Sequence, residues 1–247
     1  MNMFKYYFRI PQTRMSQEPK KAPMIGINLI PRKSNEERRQ EMKDKILTTA
    51  GFLFTEKGYS KTTMRQISLK AGILTGSLYN VFPGKEDILK TMMNISYDSA
   101  FKQFERHFDT EGDLLVALAF PLGLEFYSAS RNNRAAEILH EAHSSWKVVS
   151  SMVDRTMEWV AGRMKGYGLK YDLDETKDRF LALLGAVGNL ISKMHFTSEG
   201  DYKKNLKRSL EIFCALFQLP AYDLDSTVEK MDDMLSGNDI VLGGYQI

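Results

Sequence analysis

Cysteine is almost missing from this chain: Cys214 stands alone among 247 residues. An internal disulfide is excluded, and a reducing cytoplasm is the expected compartment. Proline is scarce as well. Of the seven, Pro11, Pro19, Pro23 and Pro31 fall within the first 33 residues, so little beyond them interrupts a helix. No apolar run reaches the roughly 18 residues of a membrane-spanning helix; stretches 114–124 and 181–191 are shorter and interrupted. Residues 1–10 have neither a continuous apolar centre nor a small-residue cleavage site, and do not read as a signal peptide. A Gly-rich phosphate loop, a nucleophile elbow and paired catalytic carboxylates are all lacking. Neither an enzyme nor a bound cofactor is expected.

What the chain does have is helix formers. Leu, Lys, Glu, Met and Ala abound, the 43% hydrophobic content suits a globular core, and no segment alternates with the period of a strand. The expected class is all-α. A net charge of +3 conceals an asymmetry. Residues 1–33 carry seven Lys/Arg against one acidic residue, and 34–85 carry nine against five. The remainder has 18 basic and 25 acidic residues, a net of −7. A basic front and acidic rear suit a front that meets a polyanion.

Residues 1–33 show no apolar period and read as a mostly disordered basic arm. Its composition fits a solvated leader better than an arm reaching into a minor groove. Order is expected from Ser34, which opens a capping box with Glu37. Met42, Ile46, Leu47, Ala50, Leu53 and Phe54 then recur on one helical face until Gly58. Thr62 and Thr63 can cap a short second helix ended by Gly72. A third spans 75–81, and Pro83-Gly84 breaks it before a longer helix from Lys85. Further helices are expected over 114–128, with Asp113 as cap and Pro121 as a kink, and over 134–143 and 145–165. Others follow from Asp174 to Phe196, from Asp201 to Phe217, and from a Ser226/Glu229 capping box to Leu235.

Two short helices joined by Ala71-Gly72-Ile73-Leu74 are the parts of a helix-turn-helix. Gly72 supplies the positive φ of the turn, and Ile67 and Leu78 can hold the pair together. The second helix exposes Thr75, Gly76, Ser77, Tyr79 and Asn80, small or polar groups that can approach base edges and phosphates.

The whole stretch Ile46-Leu47-Thr48-Thr49-Ala50-Gly51-Phe52-Leu53-Phe54, Gly58-Tyr59, Thr62-Thr63, Ile67, Ala71-Gly72, Gly76-Ser77-Leu78-Tyr79, Phe82, Lys85-Glu86 and Leu89 closely resembles the signature of the tetracycline-repressor family, over about 45 residues with order and spacing intact. The resemblance implies a DNA-binding regulator that acts as a homodimer on a palindromic operator and is released by a small-molecule effector. It implies that Thr63 contacts phosphate through its hydroxyl and nearby amides, and that Arg65 reaches a base or phosphate. Thr75, Gly76 and Asn80 take the variable recognition positions, and Ser77 the small hydroxyl position. Tyr79 and Lys85 resemble phosphate clamps. Lys85 is mildly unfavourable at a helix N-terminus, by about 0.3–1 kcal/mol, and a phosphate partner accounts for it. Two residues depart from the pattern. Leu74 stands where the family usually has a capping residue, so Thr75 can cap instead and be lost as a base reader. Leu69 replaces a position that is usually polar.

The same resemblance places an effector pocket among the middle helices. Phe126, Tyr127, Trp146, Met152, Trp159 and Met194 could wall it, with Glu125, His140 or His195 as an orienting polar group; each also suits core or surface. Glu137-x-x-His140 with His143 has metal-ligand spacing, but a di-iron site needs a second such motif, so no metal is expected. For the dimer, the family would use its last two long helices. Leu181, Leu184, Gly185, Gly188 and Ser192 would form one seam, and Leu206, Leu210, Phe213 and Phe217 the other; the same periodicity fits an intrachain core. The expected division is arm 1–33, DNA-binding domain 34–84, effector and dimerisation domain 85–220, and an extension with a short helix, 221–247. The rival is a helical enzyme or metal-binding protein with an incidental helix-turn-helix.

Overall fold

The computed structural model describes residues 34–107, 114–167, 172–197, 199–219, 223–237, 241–242 and 245–246. The arm at 1–33 and the Asp113 cap lie outside these residues. Ten helices are described: α1 (Asn35–Lys57), α2 (Met64–Ala71), α3 (Thr75–Val81), α4 (Lys85–His107), α5 (Leu114–Arg131), α6 (Asn133–Ser144), α7 (Trp146–Tyr167), α8 (Leu173–Thr197), α9 (Tyr202–Phe217) and α10 (Leu224–Gly237). The protein is all-α apart from two two-residue strands, β1 (Val241–Leu242) and β2 (Tyr245–Gln246), which pair antiparallel and which strand periodicity did not anticipate.

The helix starts are set by side chains that satisfy otherwise orphaned amides. Ser34 Oγ accepts from Glu37 N at 3.1 Å while Glu37 Oε2 accepts from Ser34 N at 2.7 Å, the expected capping box. Thr63 and Gln66 repeat the device at α2. Asp201 caps α9 as expected. Two expected caps are corrected by one turn-side neighbour. Asp172, not Asp174, accepts from Glu175 N at 2.9 Å, and Asp223, not Ser226, accepts from Ser226 N at 3.0 Å. In both places an Asp stands outside the helix with its carboxylate free to turn back, so the first polar residue upstream wins.

Ile46, Ala50, Leu53 and Phe54 of α1 meet Ile67 of α2 and Leu78 of α3, all buried. The cluster continues without a break through Ile88, Leu89, Met93, Tyr97 and Phe101 of α4. Helix α5 is buried on almost every face, as an apolar helix at the centre of a bundle must be. It packs against α6 and α9. Helix α10 closes over it: a Cβ on Gly123 would clash with Met231, which is fully buried. Helix α6 packs on α8, and α4 on α7.

Helix α8 has 25 residues and is, among the described residues, the one helix long and apolar enough by composition to cross a bilayer. Its inner face (Phe180, Leu183, Leu184, Val187, Ile191) is core. Its outer face carries exposed Ala182, Gly185 and Asn189, with Leu181, Ala186 and Leu190 half-buried.

Gly58 ends α1 at φ +93°, and a Cβ there would sit 2.7 Å from both carboxylate oxygens of Glu137. Gly58→Ala combines backbone strain with a clash. It should cost about 1–3 kcal/mol, read as a lower urea midpoint with an unchanged slope.

Candidate nucleic-acid interface

The turn between α2 and α3 is built as the sequence suggested. Gly72 adopts φ +61°, and its neighbour Ile73 donates to Ser68 O at 3.0 Å, which closes α2. Leu78 is fully buried and pins α3 from beneath. Thr75, Gly76, Tyr79 and Asn80 are exposed on the other side, and a Cβ at Gly76 would touch nothing within 4 Å. Thr63 and Arg65, at the start of α2, are exposed too, whereas Ser77 is half-buried.

Three features differ from expectation. Leu74 is the N-cap residue of α3, with no side-chain hydrogen bond, so Thr75 does not replace it as cap. The Thr75 hydroxyl instead lies 3.1 Å from the hydroxyl of buried Ser68, tying α3 to α2. Second, Leu69 and Leu74 are exposed to 81% and 79%, so neither finds a partner in the core. Third, Lys85 is already engaged within the chain. Its ammonium donates to Tyr59 O at 2.7 Å and sits 4.0 Å above the Tyr59 ring. Burial holds its pKa below the ordinary lysine value, against the pull of Glu141 and Glu137. Burial, then Glu141, pushes the Tyr59 phenol up to about 12. A phosphate is therefore not needed to account for a lysine at this helix N-terminus.

Sequence reasoning missed what surrounds Tyr59. Helix α6 reaches the α1–α2 turn with two carboxylates one turn apart. Ser60 donates through its amide to Glu137 Oε1 at 3.3 Å and through its hydroxyl to Glu141 Oε1 at 2.6 Å. Arg134 holds Glu137 from the other side at 2.8 Å. Glu86 and Asp87 at the start of α4 pair with Lys147 of α7, and Glu86 also takes the Ser145 hydroxyl. The only sequence signal was Glu137 and Glu141 at i, i+4, a spacing common on any exposed helix.

Behind this joint, the expected pocket residues do not share one wall. Phe126 and Met152 are fully buried in the packed core, and Met194 is buried beneath Gly200. Trp159 stacks on Phe101 at 4.6 Å, and Tyr127 packs edge-on to Tyr202. Trp146 is 71% exposed at the start of α7, and its role as a pocket wall is withdrawn. The polar residues do assemble. Glu125 is fully buried, accepts the Tyr97 hydroxyl at 3.0 Å, and lies 2.9 Å from His143 Nε2, which must carry the proton facing a carboxylate. His143 Nδ1 is buried with no partner among the described residues. Next to it, His140 lies 2.8 Å from the Ser192 hydroxyl and stacks on His195. Burial, then His195, holds the His140 pKa below the usual imidazole value.

The expected dimer seam is likewise corrected. Leu184, Leu206, Leu210 and Phe213 are buried in the chain's own core. A Cβ on Gly188 would lie 2.7 Å from His143 Cβ, and Ser192 faces His140, so both face α6. Phe217 is half-buried against Phe180 and Phe213. Of the nine residues, Gly185 is exposed and Leu181 half-buried on the outer side.

The arrangement defines an all-helical protein with an N-terminal helix-turn-helix and a larger helical body. Residues 46–92 match the family model described as bacterial regulatory proteins, tetR family. The transcriptional repressor KstR2 of Mycolicibacterium smegmatis is 29% identical over 99 residues, 40% of this chain and 48% of that protein. The uncharacterized transcriptional regulator YuxN of Bacillus subtilis is 39% identical over 75 residues, 29% of this chain and 25% of that one. The chain thus spans about half the length, or less, of the curated relatives it matches. Among solved structures, FadR of Thermus thermophilus, a TetR-family repressor bound to lauroyl-CoA, superposes with a TM-score of 0.56 at 15% identity, over 73% of this chain and 97% of that one. RolR bound to resorcinol gives 0.55 at 16%, over 84% and 100%. These likenesses show the fold. The sequence resemblance to the tetR family covers residues 46–92, and the likeness of fold extends over most of the chain.

Lys85→Ala deletes the link between the start of α4 and the α1–α2 turn and leaves Tyr59 O without its donor. It should lower unfolding stability by about 1 kcal/mol, below the usual value for a charged hydrogen bond because the amine is partly solvated. Thermal or urea unfolding without DNA reads this directly.

Proposed function

We propose that this chain is a homodimeric, sequence-specific DNA-binding transcriptional regulator of the cytoplasm, acting as a repressor that a small-molecule effector releases. The observation that carries the reading is the exposed face of α3, with Thr75, Gly76, Tyr79 and Asn80 held outward by a fully buried Leu78. A helix so presented, on the basic part of an otherwise acidic chain, suits the major groove. Residues 34–84 form the DNA-binding unit, and 85–220 carry effector and dimer functions. The tail beyond closes the core through α10.

Thr63, Arg65 and Tyr79 contact phosphates and set the register, while Asn80 reads a base edge. Lys85 adds a phosphate contact with the N–H groups that Tyr59 leaves free. The dimer forms through the outer faces of α8 and α9. Leu181, Ala182, Gly185, Ala186 and Leu190 meet their symmetry copies beside Ile212 and Ala215, in the place of the inward seam first expected. The effector is anchored near the fully buried Glu125 and the half-buried His140–His195 pair, whose polar atoms supply the orienting contacts. Its arrival shifts α6 and with it the hold on Ser60. The rival metal reading loses its motif: Glu137 faces Arg134 and Ser60, whereas His140 faces Ser192.

Two outcomes check this. Bound duplexes selected from a random pool should be palindromic, with half-site centres about 10 base pairs apart, or somewhat more if dimers bind in pairs. Asn80→Ala should relax preference at one position per half-site, by about 1–3 kcal/mol. A featureless pool at moderate salt rejects the reading. Gly185→Glu should give a folded monomer by sedimentation, while Gly188→Glu should lose helicity, because only the second faces the chain's own core.

A further inference from the structure

Leu74 is left unexplained by everything above. It is the N-cap of the recognition helix, the position where Ser, Thr, Asp or Asn would accept an amide of the first turn, and no side chain caps α3. The leucine is 79% exposed, so no packing in the core compensates. A leucine at this position gives up the cap that Ser or Asp would supply, and it sets an apolar side chain beside the face that the DNA-binding reading turns to the groove.

Its neighbours narrow what that can be. The Thr75 hydroxyl is drawn back to Ser68, which leaves its methyl as the group available outward. Gly76 has no side chain, and a Cβ there would meet nothing within 4 Å, so the backbone can come close to a surface. The entering end of α3 is therefore an apolar tip of a leucine, a threonine methyl and bare backbone. The hydrogen-bonding groups Tyr79 and Asn80 are one turn further on. In a major groove, the apolar feature that distinguishes one base pair from another is the thymine 5-methyl.

We propose that Leu74 is a specificity-determining residue that packs on a thymine 5-methyl group in each half-site, with the Thr75 methyl beside it. The recognition helix then reads a thymine at its N-terminal end by apolar contact. It reads a second base through Asn80 by hydrogen bonds. This rests on the DNA-binding reading above.

The test uses the full chain and its selected duplex, with each thymine replaced in turn by deoxyuridine, which deletes the methyl and leaves base pairing intact. At one position per half-site the replacement should weaken the wild-type protein by about fourfold, and by roughly fifteenfold when made in both half-sites. Leu74→Ala should bind the thymine duplex more weakly and show no loss on deoxyuridine replacement at that position. Leu74→Ser supplies the missing cap, so it should melt at a higher temperature yet bind more weakly. A scan without a sensitive position, or a sensitivity that Leu74→Ala retains, overturns the assignment while leaving specific DNA binding intact. If no duplex is selected at all, it is the regulator reading that falls, and this inference falls with it.

Discussion

Gly58 is the residue on which the placement of the first three helices turns. With φ at +93° it turns the chain out of α1 and presents Tyr59 and Ser60 to the rest of the protein. Three elements then close on those two residues. Lys85 of α4 takes the Tyr59 carbonyl and covers its ring, and Glu137 and Glu141 of α6 take the Ser60 amide and hydroxyl. The Phe54 ring completes the seat, edge-on to Tyr59 at 5.0 Å. A substitution at Gly58 would displace the Glu137 carboxylate itself, so this backbone angle acts with the shared core of Phe54, Ile88 and Leu89 to seat the first three helices on those that follow.

Helix α6 gives this joint a second consequence. One of its faces carries Glu137 and Glu141 towards the helix-turn-helix. Another carries His140 and His143 towards α8 and α5, where His143 meets the fully buried Glu125. A buried carboxylate is tolerable only while it is paired and hydrogen-bonded, and Tyr97 and His143 both do so. Tyr97 belongs to α4, the helix that begins with Lys85. Both helices that grip the α1–α2 turn therefore also hold the central carboxylate. Under the proposed function, a change at Glu125 would reach α3 through α4 and α6, the two helices that hold both the carboxylate and the α1–α2 turn.

The first half of the chain was legible because its signals are local. Capping residues, the glycines that end α1 and α2, and the recurrence of Ile46, Ala50, Leu53 and Phe54 each act within a few residues, and a helix-turn-helix is largely made of such signals. The caps of α8 and α10 were missed by two or three residues because Asp172 and Asp174, or Asp223 and Ser226, are chemically equivalent until the backbone is known. The second half failed for a different reason. Leu184, Leu206 and Phe213 have the periodicity of a buried face, but periodicity does not say whether the chain itself or a second copy covers it. The outward small residues, Ala182 and Gly185, give almost no hydrophobic signal. The bond from Lys85 to the Tyr59 carbonyl is invisible in a motif, because its acceptor is a backbone atom 26 residues away. Trp146 was counted as pocket material by type alone.

In the proposed dimer, the Gly58–Ser60 joint would hold the two α3 helices at one fixed separation. Nitroxide labels on Asn80→Cys, in a Cys214→Ser background, would report that separation by pulsed electron spin resonance. The expected result is a single narrow distance near one turn of DNA, about 34–36 Å, that broadens when Glu137→Ala and Glu141→Ala together release Ser60. A broad or multiple distribution in the intact joint, or a narrow one that survives loss of both carboxylates, would contradict it.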